Sequence, residues 1–269
     1  MRGWFVWIAG LSTACSLVWP VLGQPAPTAQ SPPQIHKEWT LGKEMAQELE
    51  NRDGRLNDPA MTQYLQGVED RLAVAAGQTT LEIRLTRSSK LYATVLENGL
   101  QYLSSGLVQR LENEMELAGL LAHQLAHRQV SGATTAQGAG IPLYVSPCVL
   151  SPFGIPGGNG PRRNQEQRAN AQALGYLKAA GYDPEGLLDL FSKLAYEHPA
   201  WAQAIVSEDL LSQRSAIESE EPPPGGYRVN TSEFSEQQDN LLVILGQAPR
   251  KRQAPGNLPT LLRAGPGPT

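Results

Sequence analysis

The spacing of apolar residues changes along this chain, and the changes mark its elements. Three-to-four spacing begins near Leu41 (LGKEMAQELENR) and returns after Asp58-Pro59 (MTQYLQGVEDRLAVAAG), predicting two helices. The second has an aspartate cap and a proline in its first turn, where a missing N–H is harmless. Alternation in Thr80 to Thr86 and the β-branched and aromatic residues of Lys90 to Leu96 predict two strands. Asn98-Gly99 reads as a turn, and Leu100 to Leu103 as a short edge strand. Glu114 to Val130 is the strongest helix, with Leu117, Leu120, Leu121 and Leu125 on the face expected to be buried. From Ser131 to Pro161 glycine, proline and serine interrupt the pattern, which predicts a long loop packed over a cleft. Helices resume at Gln165 to Ala180, at Pro184 to Tyr196 behind an Asp183 cap, and at Ala200 to Gln213. Tyr227 to Phe234 reads as a strand and Glu236 to Leu245 as a short helix. The sum is an α+β fold, mostly helical, with a small sheet beside the central helix.

The ends differ from this middle. Residues 1–23 combine Arg2, an apolar stretch and the small-residue site Val21-Leu22-Gly23, the pattern of an export signal; an uncleaved anchor is the alternative. Cys15, in Ser12-Thr13-Ala14-Cys15, raises lipidation as a further alternative. Residues 24–38 read as a Pro-rich linker, 39–215 as the main domain, 216–246 as a Pro-rich link with a strand and helix, and 247–269 as a disordered tail containing Arg250, Lys251 and Arg252. The formal net charge of −4 gives no reason to expect nucleic acid as a partner. With Cys15 gone, Cys148 has no partner for an intrachain disulfide and reads as a buried inert thiol.

The chemistry lies on the strongest helix. His123 and His127 are four residues apart, which brings both imidazoles to one face within reach of a single ion. With four histidines in the chain, such a pair also arises by chance, and its surroundings carry the weight. Those surroundings are ENGLQYLSSGLV, ELAGLLAHQLAH, YLKAAGYDP, His198-Pro199 and the TSEF at Thr231 to Phe234. Together they resemble the gluzincin zinc metallopeptidase family that contains the prenyl-protein endopeptidase, HtpX and BepA, over about Trp39 to Leu245.

The resemblance implies a zincin-like domain whose zinc is held by the two histidines of HExxH and by a glutamate of a later ExxxD or EAD element, with the HExxH glutamate as general base. In this chain the motif reads His123-Gln124-Leu125-Ala126-His127, so an amide stands where the base belongs. Counting back without gaps from AGYDP sets Arg168 at the third-ligand position and Asn170 at that of the aspartate. Arginine only donates hydrogen bonds and stays positive, so this reading leaves two histidine ligands and a doubtful zinc site. Ala204 stands six residues after His198, where the family tends to have an arginine.

The reading that follows is a catalytically impaired or inactive exported homologue of a zinc metalloendopeptidase. It would bind extended peptides or unfolded envelope proteins, with a possible association with the membrane surface. In one version Arg168 projects into the vacated metal position and donates to a histidine. Two alternatives stay open: an active zinc endopeptidase with a rearranged site that recruits Glu166, and a structural protein whose groove is filled by the loop from Ser131 to Pro161.

Overall fold

Helix α1, Pro32–Asp53, lies on one side of a four-stranded sheet, its Ala46 and Leu49 packed against Tyr92, Leu96, Leu100 and Tyr102. It begins earlier than its sequence pattern predicts because Pro32 and Pro33 occupy the first turn, where no N–H is needed for the helix. The computed structural model describes residues 32–96, 98–132, 160–197, 208–249 and 261–263. The expected export signal, Cys15, Cys148, most of the loop expected from Ser131 to Pro161, His198, Ala204 and Arg250 to Arg252 lie outside the described residues.

Strand β1 (Arg55–Leu56) leads into α2 (Pro59–Ala76), where the Asp58 carboxylate accepts from the Met61 N–H at 3.1 Å, as the cap predicts. Strands β2 (Glu82–Thr86), β3 (Ala93–Val95) and β4 (Leu100–Ser104) complete the sheet in the order β1-β2-β4-β3. The expectation of an edge strand at Leu100 is corrected: β4 is interior, parallel to β2 and antiparallel to β3. The turn at Asn98-Gly99, with Gly99 at φ 81°, folds β3 back onto one side of β4, leaving β3 as the outer edge.

A short helix, α3 (Ser105–Arg110), capped by the Ser104 hydroxyl, precedes α4 (Glu114–Gly132). On the other side of the sheet from α1, a single core joins α2, β2, β3 and α4 to α5 (Gly160–Ala179) and α6 (Glu185–Glu197). The core buries every residue of α4 from Glu114 to His127, not only the leucine face. Helix α4 is wrapped by α2, α5, α6 and β3, which leaves it no solvent side over those turns.

Helix α7 (Glu208–Ser219) follows, then β5 (Tyr227–Asn230) and α8 (Ser232–Ile244). The strand expected to reach Phe234 stops four residues earlier because the Thr231 hydroxyl accepts from the Phe234 N–H at 3.2 Å and starts a helix. Part of the expected tail is also ordered: Leu261–Arg263 forms β6 against β5, with Arg263 paired to Asp183 and Glu185 and stacked over Tyr227. The N-terminus of α4 ties this C-terminal region to the core. There the Glu114 carboxylate receives Arg71, Arg228, Thr231 and Tyr182, and the Glu114 N–H donates to the Asn230 side chain at 3.1 Å.

Glu69, on α2, is fully buried and neither carboxylate oxygen makes a hydrogen bond of good geometry. Burial, helped by neighbouring Asp70, pushes its carboxyl up to about 8 from an ordinary 4.5; the Leu81 N–H and the Arg128 guanidinium offset only part of this. A carboxyl that keeps its proton in the fold but loses it on unfolding stabilises fully below about pH 4.5, and that contribution is lost as pH rises to about 8. Glu69→Gln is therefore expected to melt higher than the parent at pH 8.5, the difference shrinking toward pH 5. A few kcal/mol is the scale, each pKa unit being worth about 1.4 kcal/mol. Melting curves across that range check it; a pH-independent difference would assign the effect to packing.

Candidate metal centre

Helix α4 carries His123 and His127 one turn apart, both fully buried. Their Nε2 atoms are 3.1 Å from one another, with the two rings in an edge-to-face arrangement. Helix α5 supplies the third group. The Glu166 Oε2 stands 3.2 Å from His127 Nε2 and 3.3 Å from His123 Nε2, and its side chain is 4% exposed. These three are the one group of metal-ligating side chains found among the described residues.

The expected place of Arg168 is thereby corrected. Arg168 is exposed, while Glu166 occupies the position beside the histidines. The reason is helical geometry: two residues rotate the side chain by roughly 200°, so Arg168 and Glu166 leave α5 on opposite sides. The spacing of the ExxxD form fits where that of the EAD form does not, with an amide in place of the aspartate, since Glu166-Gln167-Arg168-Ala169-Asn170 puts Glu166 and Asn170 one turn apart. Asn170 is buried as well. A signal for this was present in the sequence. Glu166, Ala169, Asn170, Ala173, Leu174 and Leu177 follow three-to-four spacing and form the buried stripe of α5. With only two leucines in it, the stripe is faint, and Arg168 lies off it.

Burial alone would raise the Glu166 carboxyl, but the charge of His127 and the hydrogen bonds from both histidines outweigh it and hold the group well below the usual carboxylate range. Glu166 is thus an anion aimed at two imidazole nitrogens. Two such nitrogens 3.1 Å apart must share a proton or face a common electrophile. A cation between all three satisfies them together. Ligands held tetrahedrally at ~2.0–2.1 Å from zinc lie ~3.3 Å apart. The sides of 3.1, 3.2 and 3.3 Å therefore fit one face of such a tetrahedron, with the fourth corner open. Two imidazoles and one carboxylate are also a donor set that zinc accepts. The residues present fit the metal.

Gln124 follows His123 on α4 and is fully buried. Its amide can donate and accept hydrogen bonds but cannot take up a proton at neutral pH. Phe191, on α6, is a contact that no sequence motif singles out; its ring meets the His123 ring edge-on with centroids 4.8 Å apart.

Part of the chain is similar to known proteins. Residues 59–140 match peptidase family M48. The beta-barrel assembly-enhancing protease of Yersinia pestis is 26% identical over 185 residues, covering 60% of this chain and 38% of that protein. The beta-barrel assembly-enhancing protease of Escherichia coli K12 is 25% identical over 191 residues, covering 62% of this chain and 39% of its own length. The chain thus spans about two fifths of the length of the curated relatives it matches.

Proposed function

We propose, from the match of residues 59–140 to peptidase family M48, that this chain is a metal-holding but catalytically impaired member that binds extended peptides without turning them over. The observation that carries the proposal is the pairing of a complete His123, His127 and Glu166 triangle with an amide at Gln124. His123, His127 and Glu166 would hold the zinc, which supplies Lewis-acid polarisation of a bound carbonyl. Gln124 can orient a polar group beside that position, yet it leaves no acceptor for the proton that hydrolysis must remove. With Glu166 in place, a lost third ligand is no longer a reason for inactivity; the missing base remains one.

Peptide capture has a structural basis in β3. It is one of the two edge strands of the sheet, packed against α4, and among the described residues no strand pairs with its free side. An extended peptide adds to such an edge through backbone hydrogen bonds that require no catalysis. The N-terminal export pattern supports extending the proposal to the cell envelope, with unfolded envelope proteins near the membrane surface as the peptides bound. No helix among the described residues is long and apolar enough to cross a membrane. The relatives' names connect them to beta-barrel assembly, and we extend that setting to this chain as part of the proposal.

A second reading, an active endopeptidase, is favoured by the same complete ligand triangle. One experiment separates the two: zinc measured on the dialysed protein, then incubation with a fluorescent extended peptide and recovery of the peptide by mass spectrometry. About one zinc per chain and saturable binding of a peptide recovered intact is the expected result. Cleavage that stops on adding a chelator would replace the proposal with the second reading. Absence of zinc would remove the metal from both.

A further inference from the structure

Helices α4 and α6 approach each other more closely than side chains normally allow, and two glycines make this possible. A Cβ on Gly186 would lie 2.2 Å from the Met115 carbonyl oxygen, and one on Gly119 would lie 2.8 Å from the Leu187 backbone. The contacts advance together along both helices: Met115 with Gly186, Gly119 with Leu187, and one turn further His123 with Phe191. The two helices therefore run in the same sense, and their register is set by backbone meeting backbone. Phe191 is fully buried, and its ring stands at 88° to that of His123 with centroids 4.8 Å apart. The His123 ring is in turn edge-to-face with His127, at 4.5 Å and 85°.

We propose that Phe191 is a positioning residue for the metal centre: its ring fixes the plane of the His123 imidazole so that Nε2 faces His127 and Glu166. The inference rests on the metal-site reading above. A histidine in a close-packed interior turns about χ2 only if its neighbours leave room, and an aromatic ring against it removes that room while adding a favourable edge-to-face contact. The glycine crossing supplies what a single contact could not, a fixed origin for Phe191 one turn away. Glu166 comes from a different helix, so the His123 orientation decides whether the three ligand atoms converge. Phe191 acts through His123, whose ring it meets edge-on.

Phe191→Leu keeps an apolar side chain and removes the ring. Zinc affinity is measured by competition with a chromophoric chelator on the full-length protein, beside the metal-free melting temperature. Leu190→Ala, a buried site on the same helix, serves as a control for stability alone. Phe191→Leu is expected to weaken zinc binding about tenfold or more, the scale of losses from residues that orient ligands. Leu190→Ala is expected to lower the melting temperature while leaving zinc affinity within about threefold, since it changes packing and not ligand orientation. Equal zinc affinity in the parent and Phe191→Leu would overturn the positioning role and leave the metal site standing. Matching affinity losses in Phe191→Leu and Leu190→Ala would overturn it too, by assigning the effect to general packing. A parent protein that binds no zinc would instead overturn the metal-site reading and this inference with it.

Discussion

Gln124→Glu is expected to raise peptide hydrolysis by about 10²–10⁴-fold over the parent, the usual contribution of a positioned general base. The substitution is nearly isosteric, so the buried site on α4 has room for it, and the new carboxylate would stand next to His123 in the helix that already carries both histidine ligands. The gain should vanish on chelation and in a Gln124→Glu, His123→Ala double variant, which separates restored chemistry from a contaminating protease. Steady-state cleavage of a quenched fluorescent peptide reads it directly. A variant that folds, holds zinc and stays inactive would show that this helix does not aim residue 124 at the reacting position, and the case for inactivity through the missing base would fail.

The second large effect is on the metal itself. Glu166→Gln should remove most of the zinc, because it replaces the anion of the triangle with a neutral amide and leaves two histidines where zinc sites use three or four protein ligands. Arg168→Ala should leave zinc unchanged, since that side chain is exposed on the opposite side of α5. Elemental mass spectrometry on the dialysed parent and both variants makes the comparison. If Arg168→Ala lost zinc while Glu166→Gln retained it, Glu166 would not be the third ligand, and the ungapped motif count that places Arg168 beside the histidines would stand.

How much of the fold and site was legible beforehand depended on the range of the forces involved. The histidine pair, the Asp58 cap, the α4 helix and the α+β class follow from spacings within one or two helical turns, and local backbone geometry enforces such spacings wherever the segment is placed. The amide at Gln124 needs only its position between the two histidines. Other features depended on competition between neighbours. The end of β5 at Asn230 was decided by the Thr231 hydroxyl, which secures the N-terminus of α8, although the residues from Tyr227 on read as a continuous strand. β4 became interior because β2 and β3 pair with its two sides, and no count along Leu100 to Ser104 reveals how many partners a strand will have.

What the sequence by itself determined is the set of chemical possibilities: two imidazoles on one helix face, an amide between them, and one carboxylate and one guanidinium two residues apart on another helix. Tertiary structure chose between the last two. The packing of α5 against α4 buries the stripe that contains Glu166 and turns Arg168 outward, because a buried guanidinium facing two histidines would have no anion to compensate it, whereas a carboxylate there is stabilised by both rings. The glycine crossing of α4 with α6 likewise brought Phe191 to His123 from a distant part of the chain. Such contacts come from how helices stack, which spacing along one helix does not encode.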